Sequence, residues 1–348
     1  MKILSIVGAR PQFIKLGPLS RELRKQHQEI IIHTGQHYDH AMSDLFFEQL
    51  EIPVPDINLE TGSGLQGAQT GRMLEGIERE MLSHKPDLMI CFGDTNSTLA
   101  ACLAASKLGI PSLHIEAGLR SFNRSMPEEI NRVVADHTSD LLFAPTETAM
   151  NHLADEGLST KSVLTGDIMV DSVRFVQARL DVDHSRQEGY LLITLHRPYN
   201  VDDPVKLNTL FSLLSKLEQP MIFPVHPRTR NIIEKHQISL PENLQLIHPQ
   251  GYIEFQGLLK GCSKVVTDSG GLQKEAYLAG KPCITLRPET EWVETVEAGW
   301  NRLCDINDPD LATIIQSFQP TGKQPNLYGK DVAKTMVEEI EKWFELRD

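Results

Sequence analysis

The chain has 348 residues, 40% of them hydrophobic and 23% charged, with 34 basic side chains against 47 acidic ones and a net charge of −13. That length exceeds what one hydrophobic core usually serves, and the composition excludes extended disorder, so two domains of ordinary size are expected. The acidity argues against broad binding to nucleic acid or an anionic membrane, so an anionic ligand would need basic groups gathered locally.

The N-terminal sequence MKILSIVGARPQF holds a short apolar run, Ile3–Val7, which reads as a first strand and is too short for a signal peptide. Further apolar, β-branched runs follow at Ile30–His33, Leu88–Phe92, Ser112–Ile115, Leu141–Phe143 and Ser162–Leu164. A second set lies at Leu191–Leu195, Met221–Val225, Leu244–Ile247, Lys264–Val266, Cys283–Leu286 and Arg302–Leu303. Helical periodicity fills most of the gaps, as at Phe13–Lys25, Thr98–Leu108 and Val205–Leu217. Apolar strands alternating with amphipathic helices predict βαβ units and two buried parallel sheets.

The boundary is placed in Thr165–Arg186, where a helical stretch gives way to the charged run LDVDHSRQEG. The expected domains are residues 1–167 and 168–330, followed by an amphipathic helix at about 331–348 whose packing partner periodicity does not identify. The five cysteines are odd in number, widely spaced and mostly within apolar runs, which predicts buried reduced thiols and a reducing compartment. With no apolar stretch near the ~20 residues needed to span a bilayer, a cytoplasmic protein is expected.

Polar signatures follow the ends of the strands, where open α/β sheets bind ligands. Gly8-Ala9-Arg10-Pro11-Gln12 leads into a helix holding Lys15, a glycine turn and two cations suited to an anion. Gly93-Asp94-Thr95 comes next, with Asp94 readable as a helix cap. His114 and Glu116 of HIEAGLR share a face if the strand alternation continues. Met126-Pro127-Glu128-Glu129 enters a helix at Pro127, where acidic residues also suit the helix dipole. Each carboxylate alone has an ordinary structural reading, but Asp94, Glu116 and Glu128 at successive element ends of one domain are harder to dismiss.

In the second half His196-Arg197 and His226-Pro227-Arg228 stand at adjacent strand ends and would form a local positive pocket. Thr267-Asp268-Ser269-Gly270-Gly271 then precedes a helix carrying Glu275. Adjacent glycines there let backbone N–H groups approach a phosphate, Ser269 adds a hydroxyl, and Glu275 is placed to accept from a ribose diol. No cysteine–histidine spacing or paired acidic cluster suggests a metal, and no cofactor is expected.

GARPQFIK, GDTNSTLA, HIEAGLRS, MPEEINR, the strand-end HR, HPRTR and DSGGLQKEA stand in an order that resembles the non-hydrolysing UDP-N-acetylglucosamine 2-epimerases, from Met1 to about Arg302. The chain is also similar to the relatives that epimerise UDP-2,3-diacetamido-2,3-dideoxyglucuronic acid. The resemblance implies an α/β fold of two Rossmann-like domains in the GT-B architecture, with an inter-domain cleft and a C-terminal helix crossing back to the first domain. It implies an isomerase of polysaccharide biosynthesis, a UDP-sugar as substrate and a homodimer. Carried over, it assigns acid/base carboxylates to Asp94, Glu116 and Glu128. Diphosphate contacts fall on Arg10, His196, Ser269, Gly270 and Gly271, the ribose on Glu275, an active-site lysine on Lys15, and a position near the uracil on Phe255. The family chemistry eliminates UDP to a 2-acetamidoglucal and adds it back with protonation on the opposite face. A glycosyltransferase, a hydrolysing epimerase and a non-enzymatic nucleotide-sugar sensor are the competing readings.

Three departures bear on the substrate rather than the reaction. Tyr199 replaces the glutamate of HR-x-E-N, Trp292-Val293 replaces the arginine and proline of T-E-R-P-E, and Gln12 stands where many members have glutamate. The second and third also occur in the diacetamido-glucuronate branch. Bacterial members are activated by a second substrate molecule near a Gln-His-Arg-Glu-Met loop. Here it reads Gln36-His37-Tyr38-Asp39, and that regulation is not carried over.

Overall fold

The computed structural model describes residues 1–35, 47–48, 50–180 and 189–347, so the loop at Gln36–Asp39 lies outside the described residues, as do residues 181–188 of the boundary run. Two compact units emerge: Met1–Phe175 with Leu327–Asp348, and Val176–Asn326.

The first unit carries β1 (Lys2–Val7), β2 (Gln28–His33), β3 (Ile57–Asn58), β4 (Leu88–Phe92), β5 (Ser112–Ile115), β6 (Leu141–Ala144) and β7 (Ser162–Leu164). They form one parallel sheet in the order β3-β2-β1-β4-β5-β6-β7. Its helices are α1 (Arg10–Leu23), α2 (Gln66–His84), α3 (Asn96–Leu108), α4 (Pro127–Thr138), α5 (Glu147–Asp155) and most of α6 (Met169–Gln177), which runs past Phe175. The periodicity anticipates every strand of this sheet except β3, whose two residues are too few to leave a pattern.

The second unit carries β8 (Leu191–Thr194), β9 (Met221–Pro224), β10 (Leu244–Ile247), β11 (Lys264–Thr267), β12 (Cys283–Thr285) and β13 (Asn301–Leu303). This sheet is also parallel, ordered β10-β9-β8-β11-β12-β13. Its helices are α7 (Pro198–Val201), α8 (Pro204–Leu214), α9 (Pro227–Lys235), α10 (Tyr252–Gly261), α11 (Gly270–Leu278), α12 (Val293–Glu297) and α13 (Leu311–Ser317).

The last helix, α14 (Val332–Glu345), belongs to the first unit, where Val332, Ala333, Met336, Val337 and Ile340 are buried. Asp171 of α6 accepts from the Ala333 N–H at 2.7 Å, and Glu341 lies 3.0 Å from His27. Strands buried on both faces explain the continuous apolar runs: every β4 residue is buried, and α2 and α3 pack Met73, Ile77, Met81, Ala101 and Ala105 into the same core as Met89 and Cys91. All five cysteines are free and buried. No helix among the described residues is long and apolar enough to cross a membrane.

Candidate active site

In the first unit the polar groups converge just past β1, β4 and β5. Gly8 is packed so closely that a Cβ there would strike the hydroxyls of Thr34 and Ser97. Buried Gln12 accepts from the Gly8 N–H at 2.7 Å and the Ala9 N–H at 3.0 Å, while its amide donates to Phe92 O at 2.7 Å. A glutamate here could not make that last bond when ionised. Lys15, one turn further on, pairs with Glu116, and the two side chains are only 10% and 11% exposed.

Strand alternation predicts His114 and Glu116 on one face, but β5 ends at Ile115. Glu116 takes φ +74°, left-handed backbone that a non-glycine residue adopts at a cost of about 1–3 kcal/mol, and which clusters at functional sites. The turn is held because the Glu116 and Ala117 N–H groups both donate to Phe143 O. It brings the carboxylate over Gly93, whose absent Cβ would lie 3.2 Å from Glu116 Oε2 and 3.4 Å from Lys15 Nζ.

Asp94 is not the helix cap. That role falls to Thr95, whose hydroxyl accepts from the Thr98 N–H. Asp94 instead forms an ion pair with Arg132 of α4, whose other terminal nitrogen donates to Glu129 at 3.2 Å. Burial works against the Arg132 charge, yet Asp94, Glu129 and Glu116 together hold its pKa above the usual arginine value. Asn131 donates to Asp94 O at 2.9 Å and so ties the same loop to α4.

The two glutamates that follow Pro127 divide sharply. Glu129 is buried and accepts from Ser121 N–H, Ser121 Oγ and Phe122 N–H, each at 2.9 Å. Glu128 is exposed, with no hydrogen bond or ion pair to a described residue. The sequence offers Glu129 only a helix-dipole role and gives Asp136 none. Glu129 is adjacent to Glu128 and differs only in which way the helix turns it, while Asp136 lies on the last turn of α4 with no local signal. Asp136 is fully buried, 2.7 Å from both His114 Nδ1 and Arg120 Nη1. Arg10 is exposed at the start of α1.

In the second unit the organiser is Asp268, buried at the end of β11. It accepts from His196 N–H at 3.0 Å, Arg197 N–H at 3.1 Å and the Asn200 amide at 3.0 Å, and lies 3.2 Å from His196 Nδ1. Burial alone would raise its pKa, but these donors hold it below the usual carboxylate range. The His196 ring is 53% exposed, so Asp268 orients a ring that remains open to solvent.

Beside it Ser269 caps α11, accepting from Leu272 N–H, and Gly270 and Gly271 supply the first turn of N–H groups. Neither glycine has positive φ, and a Cβ on Gly271 would meet nothing within 4 Å, so the fold itself does not require glycine there. Arg287, paired with Glu291 at 3.0 and 3.1 Å, lies 3.4 Å from the Cβ position of Gly270, and Tyr199 lies beside it. Glu275, half-buried on α11, accepts from Gln256 at 2.5 Å.

Three predicted residues stand apart from the Asp268 cluster. His226 caps α9 by accepting from Arg228 N–H at 3.2 Å, and Arg228 pairs with Asp202 on the surface. No hydrogen bond or ion pair among the described residues joins either to the Asp268 cluster. Phe255 is half-buried against the core of Tyr190, Leu192 and Leu258.

Two parallel sheets, one with paired carboxylates just past its strand ends and the other with a glycine-rich helix start, define an α/β protein of two Rossmann-like units. The family described as UDP-N-acetylglucosamine 2-epimerase matches residues 21–341, and the chain belongs to it; it is therefore an epimerase, an isomerase by class.

A UDP-2,3-diacetamido-2,3-dideoxy-D-glucuronate 2-epimerase from Pseudomonas aeruginosa is 50% identical, covering 97% of this chain and 99% of its own. A UDP-N-acetylglucosamine 2-epimerase homolog from Methanococcus maripaludis is 48% identical over 98% of this chain and 99% of its own. Among solved structures, Methanocaldococcus jannaschii UDP-GlcNAc 2-epimerase in complex with UDP-GlcNAc and UDP matches with a TM-score of 0.87 at 41% identity, covering 99% of this chain and 100% of that one.

Proposed function

We propose that the chain inverts C2 of a UDP-linked N-acetylated amino sugar without net hydrolysis, converting UDP-N-acetylglucosamine to UDP-N-acetylmannosamine. The observation that carries this reading is the pairing of Lys15 with Glu116 over Gly93, one residue from the Asp94–Arg132 pair. A proton on C2, with no carbonyl beside it, is too weakly acidic to leave on its own. Elimination solves this: a carboxylate takes the C2 proton while the C1–O bond breaks and its electrons leave with UDP. Re-addition of UDP then returns a proton to C2 from the opposite face.

In this scheme Asp94, Glu116 and Glu128 share the proton traffic. Lys15 and Arg132 hold the first two as ion pairs. His196, oriented by Asp268, and the N–H groups of Gly270 and Gly271, with Ser269, receive the diphosphate as its charge grows. Arg10 adds a cation, Glu275 takes the ribose, and Phe255 lies near the uracil. No divalent ion has a step in this scheme. The solved relative that binds UDP-GlcNAc and UDP supports a UDP-sugar as the ligand.

A second reading, the same inversion on UDP-2,3-diacetamido-2,3-dideoxyglucuronic acid, is favoured by the 50% identical relative and by Trp292-Val293 and Gln12. The test supplies each UDP-sugar alone to the purified protein and follows products by proton NMR. The larger kcat/KM decides the substrate. Free N-acetylmannosamine, or no product without an acceptor, would contradict epimerisation and point to a hydrolase or a transferase.

A further inference from the structure

Behind the Gly93 carbonyl lies a buried chain of charge that the proton chemistry above does not use. His114 is fully buried on β5, with Nδ1 2.7 Å from Asp136 Oδ1 and Nε2 2.7 Å from Gly93 O. A peptide carbonyl only accepts, so Nε2 carries a proton. Asp136 Oδ2 accepts from the Gly118 N–H at 3.0 Å and lies 2.7 Å from Arg120 Nη1, contacts that favour an ionised carboxylate. Nδ1 therefore faces an anion and is protonated as well.

Burial opposes both charges, yet each sustains the other: the pKa of His114 is raised and that of Asp136 lowered. Arg120 continues the chain to Glu156 through bonds of 2.7 and 2.8 Å. The other titratable groups packed around the pair are the Cys102 and Cys91 thiols and Lys161, whose amine donates to Asp136 O at 2.8 Å.

Gly93 is gripped by β5 on both sides, since its N–H donates to Ile115 O at 3.0 Å and its carbonyl accepts from His114. Any shift of Gly93 moves Asp94, the next residue, and the surface on which Lys15 and Glu116 pair. We propose that His114, kept as an imidazolium by Asp136, is a positioning residue that fixes the Gly93 carbonyl and thereby sets the Asp94 and Glu116 carboxylates. The proposal rests on the reading that these two carboxylates manage the C2 proton.

Two variants separate positioning from mere packing. The His114→Gln amide can still reach Gly93 O, whereas His114→Asn keeps only the Asp136 side. Loss of the Gly93 bond should lower kcat of His114→Asn on the order of 10²-fold with KM within about threefold, as small misplacements of catalytic groups do. His114→Gln should keep kcat within about tenfold of the parent, one lost ion pair being the smaller defect. Equal losses in the two variants, or a loss carried by KM, would overturn the proposal.

Nitrogen NMR of the histidine-labelled parent protein decides even if the variants fail to fold. At about pH 8, above the ordinary histidine value, both His114 nitrogens should be protonated, and a neutral ring would overturn the proposal. Should Asp94→Asn and Glu116→Gln slow turnover while His114→Asn does not, positioning fails and the proton assignment stands. Normal turnover in those two amide variants sinks both.

Discussion

At the end of β5 the Glu116 carboxylate is 11% exposed and paired, whereas at the end of β8 the His196 ring is 53% exposed. Around Glu116 the neighbouring charges are also occupied: Asp94 by Arg132, Arg132 by Glu129, His114 by Asp136. Around His196 the organiser, Asp268, and its partner Asn200 are buried, while a Cβ on Gly271 in the adjoining turn would meet nothing within 4 Å. The contrast matches what the proposed reaction would ask of each region. A proton transfer needs groups held in place with little solvent reorganisation, which the ion pairs of Asp94 and Glu116 would provide, Glu128 alone of the three being exposed. An anion that enters and leaves needs N–H groups and a cation that remain accessible until it arrives.

The contrast breaks most visibly at the carboxylates. Asp94→Asn and Glu116→Gln should slow turnover about 10²–10⁴-fold, the usual worth of a positioned acid or base, with UDP affinity nearly intact. Steady-state kinetics beside UDP calorimetry checks both halves, and matched losses of turnover and affinity would erase the division. Glu128→Gln belongs in the same series, but the neighbour Glu129 does not, because its carboxylate anchors the 121–122 backbone.

The cradle should fail in the opposite sense. A Cβ on Gly271 would meet no protein atom within 4 Å, so Gly271→Leu should keep its thermal stability while UDP affinity drops at least about tenfold, or 1.4 kcal/mol. Undiminished affinity in the folded variant would remove Gly271 from the diphosphate site.

The smallest effect is on acid stability. Asp136 and Asp268 both have lowered folded-state pKa values, so each contributes stability that is fully present above the ordinary carboxylate value of about 4. That contribution is lost as pH falls through the lower folded values. The stability of Asp268→Asn should therefore depend less on pH than the parent's below about pH 4, measured by denaturant titration. An unchanged pH profile would mean that Asp268 does not organise the β8 end electrostatically.

The alternation of strands and helices was readable along the whole chain because strands buried on both faces must be continuously apolar. What escaped was short or non-local. β3 has two residues, and Asp136 on α4 meets His114 on β5, 22 residues away in the chain, only once the unit has folded. Asp94 looked like a cap because the cap lies one residue later, at Thr95. The His114–Glu116 alternation failed where the backbone turned left-handed, a conformation that no residue type there announces. The TDSGG run announced its turn clearly, but not that Asp268 within it would clasp the β8 end.

If the C2 proton passes through the paired carboxylates of the first unit, solvent exchange reads that step directly. The parent protein, Asp94→Asn and Glu116→Gln are each incubated with the UDP-sugar in deuterated water, and deuterium at C2 is followed by NMR. The parent should incorporate deuterium rapidly at C2 of the epimerised product, and both variants should lose incorporation in parallel with their loss of turnover. Epimerised product that keeps its original proton, or exchange that continues at the parent rate in both variants, would contradict it.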